Sequence, residues 1–369
     1  MISNLKRILI FALIFSMLAC ALSSCATPQE PHETDTECEI IETTSEVPMK
    51  KTLDIYLVAG QSNATGCTKV TDLGTVYDFY PDLVSGVSNV LYAGNSRANG
   101  TNPKDRVLGW QETMYGLGMS ENHIGPEAGM AKALSEYYNK QTGKYAGIIK
   151  YAYGGSSLLN YTSGDTNKGG NWASPSYQAT LSPSEIVDGV TGQLYKNFLD
   201  QVKTNITEAL NGEGVMGEYA FEGIRICGLY WMQGCNNKNE PSKYDTAFKY
   251  FVEDIRRDLS KMMKEFSGSE DDFGASEMPI IIGTISETQA ATAQSVITTN
   301  RTFIAMQKAL ASKIKNCYVV DNSSYAICKW ENGSMKIVGS DEWHWNQADM
   351  LAIGKNVGDL MLEVAIIKE

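Results

Sequence analysis

Strand-sized apolar runs that alternate with helix-sized amphipathic stretches predict an α/β protein, a three-layer sandwich around a mainly parallel sheet. Five runs, at 53–59, 145–153, 223–232, 279–285 and 317–321, are almost continuously apolar, as strands covered on both faces are. Helical spacing fills the gaps between them. No linker or internal repeat interrupts residues 51–369, so they are expected to form one decorated domain.

The helices are signalled in order. Pro126 suits the first turn of one, Met130, Leu134, Tyr137 and Tyr138 mark its apolar face, and Gly143 follows its end. Similar spacing recurs over 194–210, 244–266, 301–314 and 348–366. Two stretches, 65–125 and 156–189, are rich in Gly, Asn, Ser, Tyr and Trp and read as long loops, the kind that usually carries function.

The amino end has a separate logic. Lys6 and Arg7 precede an apolar stretch from Ile8 to Leu22, shorter than a membrane span of about 20 residues and followed by small residues. Leu22-Ser23-Ser24-Cys25 resembles the bacterial lipobox, which makes residues 1–24 a signal peptide and Cys25 a lipidated amino terminus. Cys20 is the weaker alternative. Residues 25–50 are rich in Thr, Glu and Pro and bury too little surface to offset the entropy of ordering, so a flexible tether is expected.

The formal charge is −12; the leader holds two basic residues and no acid, so the remainder carries −14. An acidic exported domain argues against nucleic acid or anionic lipid as a partner, leaving the lipid anchor as its membrane contact. Five cysteines, Cys67, Cys227, Cys235, Cys317 and Cys328, are scattered through the domain without metal-ligand spacing or an even count, so no disulfide framework or metal site is expected.

Four short motifs stand out, three of them at strand ends. Gly60-Gln61-Ser62-Asn63 leaves the first strand, where open α/β sheets build ligand crevices. Tyr153-Gly154-Gly155-Ser156-Ser157 leaves the second, and its glycines allow backbone N–H groups to approach a ligand. Gln233-Gly234-Cys235-Asn236-Asn237 leaves the third, with the Gln233 amide a candidate oxyanion donor. Asp341-x-x-His344 precedes the last helix. Ester hydrolysis needs a nucleophile, a base, an orienting acid and oxyanion donors, and histidine is scarce: apart from His32 in the tether, only His123 and His344 can serve as base. A three-residue spacing lets Asp341 hold the His344 ring with its far nitrogen towards Ser62.

These motifs, with Gly125-Pro126-Glu127 and Trp231-Met232 between them, resemble the sialate O-acetylesterase / acetylxylan esterase branch of the SGNH hydrolases. The resemblance implies a flavodoxin-like α/β/α fold and hydrolysis of O-acetyl groups on carbohydrates with no metal or other cofactor. It makes Ser62 the nucleophile, His344 the base and Asp341 its partner. The N–H groups of Ser62 and of Gly154 or Gly155, with Gln233, become the oxyanion donors. Gln61, Asn63, Trp172 and Asn237 are candidate substrate contacts, and the loop aromatics Trp110, Tyr161, Trp172 and Tyr177 could face sugar rings or simply fasten the loops. Cys235 and Asn237 stand where the family usually has Glu and Asp, which puts in doubt how that block is held. A Cys235 nucleophile lacks a second histidine to activate it. The alternatives are an SGNH esterase for a non-sugar ester and a glycan-binding lipoprotein without catalysis.

Overall fold

The computed structural model describes residues 50–97, 106–160, 170–331 and 334–367, all within one compact unit, Met49–Glu369. The leader, Cys25, the tether up to Met49 and Tyr161 lie outside the described residues.

Strand β1 (Lys51–Gly60) is the centre of the sheet, paired in parallel with β6 (Lys144–Tyr153) on one side and β7 (Phe221–Met232) on the other. Beyond β6 lies β3 (Val87–Arg97), and antiparallel β4 (Arg106–Thr113) closes that edge. Beyond β7 come β8 (Ile280–Gly283) and β9 (Cys317–Val320), both parallel. The order is therefore β4-β3-β6-β1-β7-β8-β9. The chain moves from β1 to one side first, then crosses to the other after β6. That reversal opens a crevice at the carboxyl ends of β1, β6 and β7.

Side chains on a strand alternate between faces, and β1 obeys this rule. Leu53, Ile55, Leu57 and Ala59 enter one core; Tyr56 and Val58 enter the other, and all are fully buried. The first core is covered by the helices Gln193–Asn211, Pro241–Ser267 and Gln294–Lys313. The second is covered by Pro126–Tyr138 and Gln347–Leu362. The predicted three layers are present, with a helix where each spacing pattern placed one.

The stretch 65–125 is not one long loop. It contains β3 and β4 and the small antiparallel pair β2 (Thr68–Lys69) and β5 (His123–Ile124). Only residues 90–94 of β3 form an apolar run, and β4 is an edge strand interrupted by Gly109, so neither has the pattern of a doubly covered strand. No helix among the described residues is long and apolar enough to cross a membrane.

Candidate active site

Ser62 sits where the central strand ends. Gly60 has φ +141°, and a Cβ there would lie 2.2 Å from the Met232 carbonyl oxygen, so glycine alone permits the exit from β1. The Gln61 N–H donates to that same carbonyl at 3.0 Å. The chain then turns at once into a four-residue helix, Ser62–Thr65, whose first N–H groups have no intrahelical acceptor. These donors and the Ser62 hydroxyl share one end of the turn.

Asp341 and His344 lie in a tight loop before the last helix. The Asp341 Oδ1 accepts the N–H groups of Trp343 (2.7 Å) and His344 (2.9 Å), while Oδ2 lies 2.7 Å from His344 Nδ1. Burial alone would raise the Asp341 carboxyl; the bond to the imidazole and these N–H groups outweigh it and hold the group below its ordinary value. An ionised Asp341 can only accept, so Nδ1 carries the proton and Nε2 is left as the acceptor a base requires.

A ladder of hydrogen bonds joins this loop to the chain just after Ser62. Asn63 Nδ2 donates to the Trp343 carbonyl (3.3 Å), Thr68 Oγ1 to the Trp345 carbonyl (3.1 Å), and the Lys69 N–H to Ser340 Oγ (3.1 Å). Gln347 finishes it, accepting from Thr71 N–H (2.7 Å) and donating to the Asp72 carbonyl (2.6 Å). Gln289 donates to the Trp343 carbonyl at 2.7 Å from the opposite side. Among the described residues Ser62 Oγ and His344 Nε2 make no hydrogen bond to each other; such bonds are often long in an enzyme without substrate.

Gly154 and Gly155 bring the end of β6 to the same edge. Ser156 Oγ donates to the Gly60 carbonyl (3.4 Å), and Asn236 Nδ2 donates to the Gly155 carbonyl (2.8 Å). The N–H groups of both glycines donate to no protein acceptor among the described residues. Gln233 does not fit the oxyanion role expected of it. Its Nε2 donates to the Ser156 carbonyl (3.0 Å) and to Asn237 Oδ1 (2.6 Å), which commits both amide hydrogens. It is a buried brace between β6 and β7.

Asn237 and Trp172 are also corrected. Asn237 is 1% exposed; its Oδ1 takes the Leu158 N–H (3.0 Å) and its Nδ2 donates to Ser157 Oγ (2.8 Å). The block at 235–237 is thus held by a neutral amide. Trp172 is fully buried, edge-on to Trp231 and Tyr151, with its N–H on Ser156 Oγ at 2.9 Å, so no face is left for a sugar. Trp110 and Tyr177 are buried too. Gln61 accepts the Gly234 N–H (3.1 Å) and Asn63 anchors the base loop, so both act as scaffold rather than as open contacts.

Sequence reasoning missed an exposed aromatic next to His344. Trp343, between the two members of the Asp/His pair, is 40% exposed, and Lys238 Nζ lies 6.0 Å from its ring centre. Its signal was the unread middle of the Asp341–His344 motif. Burial pushes the Cys235 thiol up, keeping it from being a nucleophilic thiolate. His123 pairs across β2 and β5 and its Nδ1 lies 2.6 Å from Ser120 Oγ. Gln61, Asn63, Gln233, Gln289 and Trp345 line a small pocket of about 10 Å³ next to the turn that carries Ser62. Among the described residues no cluster of His, Cys, Asp and Glu is arranged to hold a metal ion.

With this geometry in place, residues 52–363 match the family model described as SASA, carbohydrate esterase, sialic acid-specific acetylesterase. No curated protein matches the chain. Among solved structures, a carbohydrate acetylesterase from Xanthomonas citri is similar at 12% identity and a TM-score of 0.46, covering 86% of this chain. The chain spans 57% of that relative's length. NanS is similar at 14% identity and a TM-score of 0.49, over 86% of this chain and 98% of its own. A protein from Arabidopsis thaliana is similar at 16% identity and a TM-score of 0.49, over 85% and 99%.

Proposed function

The chain belongs to the SASA family of carbohydrate esterases, and from that premise we propose that it is a serine esterase that removes O-acetyl groups from carbohydrates. The observation that carries the mechanism is the Asp341–His344 pair at 2.7 Å, its loop tied through the Trp343 carbonyl to Asn63, the residue next to Ser62. Ser62 Oγ attacks the acetyl carbonyl and gives its proton to His344 Nε2. The tetrahedral oxyanion is met by the Ser62 N–H and a Gly154 or Gly155 N–H. The sugar oxygen leaves with the proton from His344, and water deprotonated by the same ring then frees acetate.

The same proposal has the enzyme exported and lipid-anchored through Cys25, which rests on the basic, apolar and small-residue order of residues 1–25. A diacylglycerol anchor gives two chains at about 0.8 kcal/mol per buried CH₂, enough for lasting attachment. Acetate release decides the activity, measured from acetylated xylan, O-acetylated sialic acid and p-nitrophenyl acetate. Turnover of a sugar ester supports the proposal. Hydrolysis of p-nitrophenyl acetate alone would favour a non-sugar substrate, and no hydrolysis at all a binding protein.

A further inference from the structure

The motif Gly125-Pro126-Glu127 plays no part in the chemistry above, yet its carboxylate meets a buried lysine directly beneath the nucleophile. Lys150 on β6 and Glu127 at the start of helix Pro126–Tyr138 have fully buried side chains, with Nζ to Oε2 at 2.9 Å. Two ions withdrawn from water carry a desolvation cost that their attraction seldom more than offsets, so such a pair is weak evidence for stability. What it holds is more telling.

The Lys150 ammonium also donates to the carbonyls of Thr65 (3.1 Å) and Leu117 (3.1 Å), and it sits 5.4 Å from the Tyr92 ring centre. Thr65 ends the short helix that Ser62 begins. Glu127 turns its other oxygen to the Gly125 N–H at 2.9 Å. Three backbone segments therefore meet on one ion pair. They meet at close range: Gly66, next to Thr65, has φ +91°, and a Cβ there would lie 2.8 Å from both Gly118 Cα and Gly125 N. At this point the turn packs backbone against backbone.

We propose that Lys150, oriented by Glu127, is a positioning residue for Ser62. By fixing the Thr65 carbonyl against the Leu117 carbonyl, it sets the height and tilt of the turn that aims Oγ at His344. This rests on the reading of Ser62 as nucleophile. Replacing a buried ion pair by apolar side chains of similar volume is often neutral or stabilising, but apolar side chains cannot hold two carbonyls at once. Stability and positioning are thereby separable.

The test uses the double variant Lys150→Met/Glu127→Leu in the full chain, with Lys150→Met/Glu127→Gln as a second that retains the acceptor for Gly125. The readouts are Tm, kcat and KM on p-nitrophenyl acetate, and the rate at which a fluorophosphonate labels Ser62. We expect a folded protein with Tm near that of wild type, kcat and labelling rate both lower by about 10²-fold, and KM little changed, since a misplacement of about 1 Å has that effect. Unchanged kcat and labelling in either folded variant overturns the proposal. So does failure of both variants to fold, which would make the pair a support of the fold itself. A wild-type protein that is neither labelled nor active removes the esterase reading, whereas a labelled wild type with an equally reactive variant removes only the positioning role.

Discussion

Replacing Ser62 by alanine should leave a folded protein that has lost on the order of 10⁶ in kcat, and Asp341→Asn should cost less, about 10⁴. Under the esterase reading the difference follows from their work: Ser62 would form the bond, while Asp341 orients the ring through the 2.7 Å contact with Nδ1. Steady-state kinetics on p-nitrophenyl acetate, with circular dichroism as the check on folding, decides it; comparable losses in the two variants would contradict the division of roles. Trp343 offers a complementary test. Its ring, adjacent to His344 in the chain, is exposed, and under the esterase reading it is a candidate sugar contact. Trp343→Ala should raise KM for an acetylated glycan several-fold while leaving kcat on p-nitrophenyl acetate within about twofold. A parallel fall in kcat on both substrates would instead place the ring in the scaffold of the base loop.

At the scale of the element, Asp254 shows how a helix carries charge for its neighbours. It lies fully buried on helix Pro241–Ser267 and accepts the Ser176 N–H (2.7 Å) and hydroxyl (2.6 Å), capping the short turn Pro175–Gln178, with Arg257 beside it. Burial works to raise its carboxyl, but the Ser176 bonds and the Arg257 charge prevail and hold it below the ordinary value. A depressed carboxyl stabilises the fold above its unfolded pKa of about 3.9, and that contribution disappears as pH falls through the folded value. The Tm gap between wild type and Asp254→Asn should therefore be constant from about pH 5 to 8 and shrink below about pH 4. A gap that does not narrow at all as the pH falls below about 4 would assign the loss to packing.

The elements legible in the sequence were those with a one-to-one physical signature. Strands β1, β6, β7 and β8 lie inside the sheet with both faces covered, so their runs are almost continuously apolar. The helices begin at prolines or keep an apolar stripe. Strand β4 escaped because an edge strand faces water on one side, and β3 because its apolar stretch is short and flanked by Asn, Ser and Gly. The Asp341–His344 contact could be read because histidine is so rare here. The fates of Gln233 and Trp172 could not: whether an amide hydrogen is free, or a ring faces solvent, depends on neighbours distant in the chain. Each of these side chains is taken by Ser156, 77 and 16 residues away respectively.

For the molecule as a whole, the described residues lie within the unit Met49–Glu369, so a protein beginning at Lys50 should fold with the Tm and kcat of the longer chain. Thermal melts and kinetics on the two forms check this, and detergent-phase partitioning should separate them. Only the longer form, lipidated at Cys25, is expected in the detergent phase; a soluble longer form with an unmodified terminus would mean plain secretion.

The bond from Asn63 to the Trp343 carbonyl joins residues 280 positions apart. Synthesis delivers the nucleophile strand early and the base loop late, and contacts of such separation are slow to form because the intervening chain must first be closed. Under the esterase reading, a nascent or partly translocated polypeptide is chemically silent until the segment bearing Asp341 and His344 has emerged and docked. A premature stop anywhere upstream of that segment leaves an inert product, however well its sheet has formed. Turnover is therefore a signal of completed manufacture, and the cell is not exposed to deacetylation by fragments.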